Sequence, residues 1–149
     1  MEYEERLGVP LRWWVQGTML VASLWLAVVV ALPAVVAWAV SAVALALMAL
    51  VLLAYGSARI SVREGVFRAG RARIEAVHLG TATALDPEET RRTAGREADA
   101  RAYLLLRPYL KRAVRVQIAD PRDPTPYWLV STRRPEELVR ALHALAAAE

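Results

Sequence analysis

The feature that most constrains the fold is a run of 46 residues without a charged side chain, between Arg12 and Arg59. One membrane-crossing helix needs about 20 apolar residues, so the run is long enough for two. Pro33 lies near its middle, and proline favours the first turn of a helix over its interior. We therefore predict two transmembrane helices, at about 13–32 and 34–55, joined by a tight turn. A single kinked helix is the alternative, but it would be about twice as long as the bilayer core is thick.

The arginines predict the orientation of this hairpin. Arg6 and Arg12 precede the first helix, three arginines follow the second, and none lies near the turn. Basic flanks stay on the cytoplasmic side, so we expect a multi-pass protein of the cytoplasmic (inner) membrane with both termini inside the cell. The acidic start and the length of the apolar run argue against a cleavable signal peptide. Neither helix contains an ionisable residue, which argues against a pump or transporter.

The chain is thereby divided into three parts: a cytoplasmic N-terminal segment 1–12, the two helices within 13–55, and a cytoplasmic domain 57–149. The last part has 17 basic and 12 acidic residues. This excess is compatible with an anionic membrane surface but too dispersed to indicate nucleic-acid binding. Cysteine is absent, which excludes disulfides, thiolate metal ligands and a cysteine nucleophile.

Alternating hydrophobicity predicts strands in the first half of the domain. Ile60 and Val62 share one face of a strand, and Glu64-Gly65 is a two-residue hairpin signal. We expect a third strand at about 73–79. A short helix follows, with Asp86 as N-cap, proline at its first position, Glu89 completing a capping box and a glycine C-cap.

The second half repeats the pattern of strands and ends in a helix. We predict strands at 102–107, 112–118 and 127–131, the second with alternating valines turned inward. A final helix at 133–147 carries an apolar face with Leu138 and Leu142 at its centre. The expected fold class is thus an α+β membrane protein: a two-helix transmembrane hairpin followed by a small antiparallel β domain with a C-terminal helix. Pleckstrin-homology-like (PH-like) domains have this arrangement.

Four segments carry a resemblance to a known family: YEERLGVP at residues 3–10, the paired helices, ADARAYLLLRPYLKRAVRVQI at 98–118 and DPTPYWLVSTRRPEEL at 123–138. In them the chain resembles an actinobacterial family of small membrane proteins known as domain of unknown function 3093. The resemblance implies a membrane protein of a high-GC bacterium, and it carries no catalytic residue over to this chain.

Basic residues form the candidate contact surface. Positive charge surrounds Pro108-Tyr109, and two arginines stand at the start of the last helix, where they oppose the macrodipole. Contact with anionic head groups or with a partner protein would explain both groups. The candidate lipid or partner contacts are Arg107, Lys111, Arg112, Arg115, Arg133 and Arg134.

No catalytic, cofactor or metal site is predicted. His78 would share a strand face with Ile74 and Ala76 and has no nearby second catalytic group. Asp120 and Asp123 lie in a proline-rich turn, where aspartate commonly bonds its own backbone. Two oxygen ligands alone make a poor calcium or magnesium site.

These observations lead to three functional hypotheses. The first is a non-catalytic accessory protein whose PH-like module binds a protein partner at the cytoplasmic face; small residues of the second helix suggest that another membrane protein could dock there. The alternative is a module that binds anionic lipid head groups of the inner leaflet. An enzyme that modifies membrane lipids through His78 is the least favoured. None of the three involves nucleic acid or a cofactor.

Overall fold

The computed structural model describes residues 1–148, which form two compact units. Residues Gly8–Ser57 form a helix pair. Residues Met1–Leu7 join the chain from Ala58 onward in a second unit, called here the α+β unit. The N-terminal segment therefore belongs to the fold of the C-terminal part, a relation that the sequence analysis did not predict.

The helix pair consists of α1 (Leu11–Ala31) and α2 (Ala34–Tyr55). Aromatic pairs lie near both of its ends, with ring centroids 6.4 Å apart for Trp13 and Tyr55 and 5.3 Å apart for Trp25 and Trp38. Gly17 allows close packing in between, because a Cβ at this position would collide with the Met48 sulfur. The two helices are therefore antiparallel, as predicted for a hairpin.

The outer surface of this pair is apolar. No side chain of α1 is buried, and in α2 only Ala37 and Ser41 are. Both helices are long and apolar enough to cross a membrane. The core helix of a soluble protein would also be apolar but would be mostly buried, and these two are not.

The first sheet of the α+β unit is an antiparallel meander of four strands in the order β1-β2-β3-β4. Glu64 and Gly65, both with positive φ, form the predicted turn between β2 and β3. Ile60 and Val62 are fully buried, as their alternation predicts. The strands are β1 (Tyr3–Arg6), β2 (Arg59–Arg63), β3 (Val66–Ala69) and β4 (Ala72–Glu75).

The second sheet has the order β5-β7-β8-β6. Its strands are β5 (Leu79–Leu85), β6 (Tyr103–Leu105), β7 (Ala113–Ile118) and β8 (Tyr127–Ser131). Three of these strands pair antiparallel, but β6 pairs parallel to β8. This pair departs from the wholly antiparallel expectation, since hydrophobic alternation does not show which strand a short edge strand will join.

Two helices complete the unit. The short α3 (Pro87–Ala94) has the predicted capping box, in which the side chains of Asp86 and Glu89 each accept the other's backbone N–H. The last helix, α4 (Pro135–Ala147), buries Leu138 and Leu142 in the core that both sheets share. Trp128 and Val130 of β8 face this core, while Leu129 faces a smaller cluster with Leu85 and Ala113.

Predicted and observed boundaries differ at several ends: α1, for example, begins at Leu11, and β6 covers only Tyr103–Leu105. Two further differences have a local cause. The strand expected at 73–79 is divided, because Ala76–His78 form a 3-10 turn between β4 and β5. Ile74 and Ala76 are both buried, so the alternation continues through the break and conceals it. The final helix begins at Pro135 and not at residue 133. Proline favours the first turn of a helix, and Pro135 occupies it.

Candidate functional site

The α+β unit is closed at the point where the chain leaves for α1 and returns from α2. The Leu7 N–H donates to the carbonyl oxygen of Ala58 at 2.9 Å, and β1 and β2 pair directly beyond this bond. Leu7 is completely buried. The helix pair is thus an insertion between two hydrogen-bonded strands, and Leu7 with Ala58 is called the chain exit below.

A buried carboxylate fastens β1 to the start of α4. Glu5 points inward with a side chain only 5% exposed, and it accepts hydrogen bonds from the hydroxyls of Tyr3 and Thr132 and, at 2.9 Å, from the Arg133 N–H. The Arg133 guanidinium lies 3.7 Å from the same carboxylate. Burial and the hydrogen bond to Glu5 raise the pKa of Tyr3 far above its ordinary value. The network is satisfied throughout, as a buried charge requires.

The two arginines at the start of α4 make contacts within the chain. Arg133 donates to the Arg6 carbonyl oxygen at 3.1 Å. Arg134 donates to the Glu4 carbonyl oxygen and to the Glu137 carboxylate, and its guanidinium lies 5.2 Å from the centre of the Tyr3 ring. These contacts explain the positive charge at a helix N-terminus. About half of each side chain is exposed to solvent.

The loop between β6 and β7 reaches the chain exit. Tyr109 donates its hydroxyl to the Leu7 carbonyl oxygen at 2.6 Å. Of the basic residues that flank it, Lys111 is exposed, and Arg112 pairs with Glu136, whose pKa this hydrogen bond lowers. The backbone N–H of Arg107 donates to the Ser131 hydroxyl. The structure therefore places the loop that carries Arg107, Lys111 and Arg112 in contact with Leu7 through Tyr109.

Arg115 lies apart from the other members of the predicted set. It is opposite Leu129 in the β7–β8 ladder, and its guanidinium lies 5.9 Å from the centre of the Tyr127 ring. Tyr127 begins β8, whereas the loop that contains Tyr109 contacts the end of β8 through Ser131. Arg115 thus contacts the start of β8 and not the chain exit.

Arginines that the sequence analysis did not select lie on the outward face of the first sheet. Arg6 and Arg59 are directly opposed in β1 and β2, as are Arg68 and Arg73 in β3 and β4. A groove of about 620 Å³, lined partly by Arg59, Arg63 and Arg68, runs along this face. The strand alternation around Ile60 is the signal that could have placed these residues on one face.

A second polar cleft, of about 370 Å³, contains His78, Asp120 and Asp123. His78 is in the 3-10 turn, so the prediction that it shares a strand face with Ile74 and Ala76 is wrong. Its Nε2 is 3.9 Å from Asp120, beyond hydrogen-bond distance. Both aspartates accept backbone N–H groups two residues ahead, which confirms the predicted turns, and the hydrogen bond from Arg122 lowers the pKa of Asp120. Within residues 1–148, no group of three or more metal-ligating side chains is present.

Comparison with known proteins gives one match. No curated protein and no solved structure is significantly similar to the chain. The model of the family described as protein of unknown function, DUF3093, matches residues 2–142. The match includes β1, the helix pair and the α+β unit through most of α4. The chain therefore belongs to the DUF3093 family.

Proposed function

We propose that this chain is a membrane-anchored, non-catalytic accessory protein whose α+β unit binds a protein partner. In this proposal α1 and α2 span the cytoplasmic membrane as a hairpin. The α+β unit, a PH-like module, lies with both termini at the cytoplasmic face, since arginines flank the helix pair and none lies at its turn.

The observation that carries the proposal is the chain exit. The Leu7–Ala58 hydrogen bond brings the two ends of the helix pair together, so a pair that enters a bilayer there must return to the same side. The exposed apolar surface of the pair supports burial in the hydrocarbon of a bilayer. A helix can be buried there because its backbone N–H and C=O groups are hydrogen-bonded within the helix. A compact folded unit tethered by two helices is suited to hold a binding surface at the membrane.

The interior of the α+β unit supports a binding role over catalysis. Its buried ionisable groups, Tyr3 and Glu5, hold β1 against α4. In the second polar cleft, His78 lacks a hydrogen bond to Asp120 that would orient it as a general base. Tyr3 and Glu5 thus have a structural explanation, which supports a role in folding over one in catalysis.

Purification of the tagged full-length chain from native membranes in mild detergent tests the proposal. We expect a second protein in comparable amount, and its absence over several detergents would contradict the proposal. A variant with Ala42→Leu and Ala46→Leu serves as the matched control, because both residues lie on the exposed surface of α2 and leave the α+β unit unchanged. The proposal expects this variant to retain the partner. Loss of the partner would place its docking site on the helix pair.

A further inference from the structure

The strand ends beside the chain exit carry an unusual arrangement of charge. Arg6 and Arg59 are direct cross-strand neighbours, and like charges in this position are destabilising. Arg71 lies in the adjoining turn, where the Gly70 N–H donates to the Arg59 carbonyl oxygen. Within the described part of the chain, no carboxylate lies within 4.0 Å of these three guanidinium groups. No ion pair among the described residues therefore offsets their repulsion.

Charge on this sheet face changes with distance from the chain exit. The charged residues at the exit, Arg6, Arg59 and Arg71, are all arginines. One step further from the chain exit, the cross-strand neighbours on this face are Glu4, Ser61, Arg68 and Arg73. Together they carry one excess positive charge. At the far end, Arg63 pairs with Glu2, and Glu75 stands opposite Val66. Positive charge therefore increases toward the connection with the helix pair.

The loop around Tyr109 adds a further positive charge near the chain exit. The Tyr109 hydroxyl binds the Leu7 carbonyl oxygen, and Lys111, two residues later in the loop, is exposed. The connection from Leu7 to Leu11, where α1 begins, has four residue steps and can extend at most about 14 Å. The basic groups around the exit are therefore tied closely to the start of an apolar helix. Arg6, Arg59, Arg71 and Lys111 are called the exit collar below.

We infer that the exit collar binds the phosphate groups of anionic lipids at the membrane surface into which α1 and α2 insert. This inference rests on the proposed membrane anchoring. Phosphate complements the collar in charge, and guanidinium groups can bind it through two parallel hydrogen bonds. A phosphate between Arg6 and Arg59 would turn their repulsion into a shared attraction. The covalent connection to apolar helices favours a lipid as its source over a free anion or a nucleic acid.

Lipid titration of the purified full-length chain tests the inference. The protein in neutral detergent micelles is titrated with phosphatidylglycerol or with phosphatidylcholine of the same acyl chains, and native mass spectrometry counts the bound lipids. We expect selective retention of phosphatidylglycerol. The double variant Arg6→Gln, Arg59→Gln should weaken it by roughly 10- to 30-fold, the effect of losing two basic groups at an anionic surface.

The matched control is Arg115→Gln with Arg122→Gln, which changes the net charge equally but away from the collar; it should bind phosphatidylglycerol as the unaltered chain does. Replacement of Arg6 and Arg59 by lysine, which keeps the charge, should retain most of the binding. The melting temperature in neutral micelles shows whether the glutamine variant is folded. It should be the same as that of the unaltered chain or higher, because a like-charge pair is removed. The backbone carbonyl of Arg6 that accepts from Arg133 is unaffected.

Equal retention of phosphatidylglycerol by the glutamine variant would overturn the inference. So would displacement of the lipid by millimolar inorganic phosphate, since the site would then take free anions. The failure of the inference is distinguishable from failure of the proposed function. If the glutamine variant binds phosphatidylglycerol normally while the protein partner still co-purifies, only the collar is excluded.

Discussion

At the scale of single residues, Glu5 is the most demanding position in the α+β unit. Its buried carboxylate has three hydrogen-bond donors from two distant parts of the chain. We expect Glu5→Ala to lower the free energy of unfolding by about 2–4 kcal/mol, because the Arg133 N–H and the hydroxyls of Tyr3 and Thr132 lose an acceptor. The Arg133 guanidinium also loses its ion-pair partner. Hydrogen exchange of the β7 and β8 amides measures this change.

Glu4→Ala is the control for this prediction. Glu4 directly precedes Glu5 in the same strand, but its side chain is about half exposed. Its carboxylate comes no closer than 3.8 Å to the Arg63 guanidinium. Its replacement should change stability by less than about 0.5 kcal/mol. Equal effects of the two substitutions would contradict a structural role for the buried network.

Tyr3 predicts a dependence of stability on alkaline pH. Burial, and next the hydrogen bond to Glu5, raise its pKa in the folded state, while the unfolded chain keeps the ordinary value near 10. The stability that Tyr3 contributes is therefore fully present below about pH 10 and is lost as pH rises toward the folded pKa. Tyr3→Phe should remove this part of the decline, as measured by melting temperature between pH 8 and 11. An unchanged slope would show that Tyr3 ionises normally in the folded protein.

Arg133 and Arg134 show what sequence reasoning could and could not find at this scale. Their conflict with the macrodipole of α4 was interpreted as a sign of contact with a membrane or a partner. The contacts with Arg6, Glu4 and Tyr3 lie about 130 positions away in the chain. No local pattern identifies such distant acceptors, so contacts within the chain could not be predicted for these two arginines.

At the scale of elements, predictions succeeded where the signal was local. The Glu64-Gly65 turn, the Asp86–Glu89 capping box and the buried stripe of α4 depend on residues within a few positions of one another. The strand β1 was missed because four residues with three charges show no strand preference. It exists because β2 offers an edge and the core accepts Tyr3 and Leu7. Tyr3 and Glu5 do alternate with the outward residues Glu4 and Arg6. The pattern does not predict a strand, because one of its inward residues is a glutamate and not an apolar residue.

The strand β1 is therefore expected to be necessary for the first sheet. Deletion of residues 2–6 would leave β2 with a free edge and remove Tyr3 from the core. We expect the β2 amides to lose most of their protection from hydrogen exchange, while the amides of α2 keep theirs. Replacing only the outward side chains, through Glu4→Ala and Arg6→Ala, keeps the strand and should preserve the protection. Protection of β2 after the deletion would mean that the meander is stable without β1.

At the scale of the whole molecule, the helix pair is an insertion into a sheet. The α+β unit is assembled from both sides of the insertion, so residues 57–149 alone would lack a strand and the Glu5 network. The early division into an N-terminal segment, helices and a C-terminal domain follows composition, and composition does not report strand pairing across 50 residues. The α+β unit can therefore fold completely only when α1 and α2 allow β1 and β2 to pair.

The same insertion makes membrane topology testable by cysteine labelling, because the chain has no cysteine of its own. Single cysteines are placed at Glu2, at Leu32 in the helix turn and at Glu97 after α3, all exposed. A membrane-impermeant thiol reagent applied to intact cells should modify only position 32, and permeabilised cells should show all three. Labelling of 2 and 97 with protection of 32 would reverse the proposed orientation. Opposite results at 2 and 97 would contradict the Leu7–Ala58 bond itself, because two paired strands cannot lie on opposite sides of a bilayer.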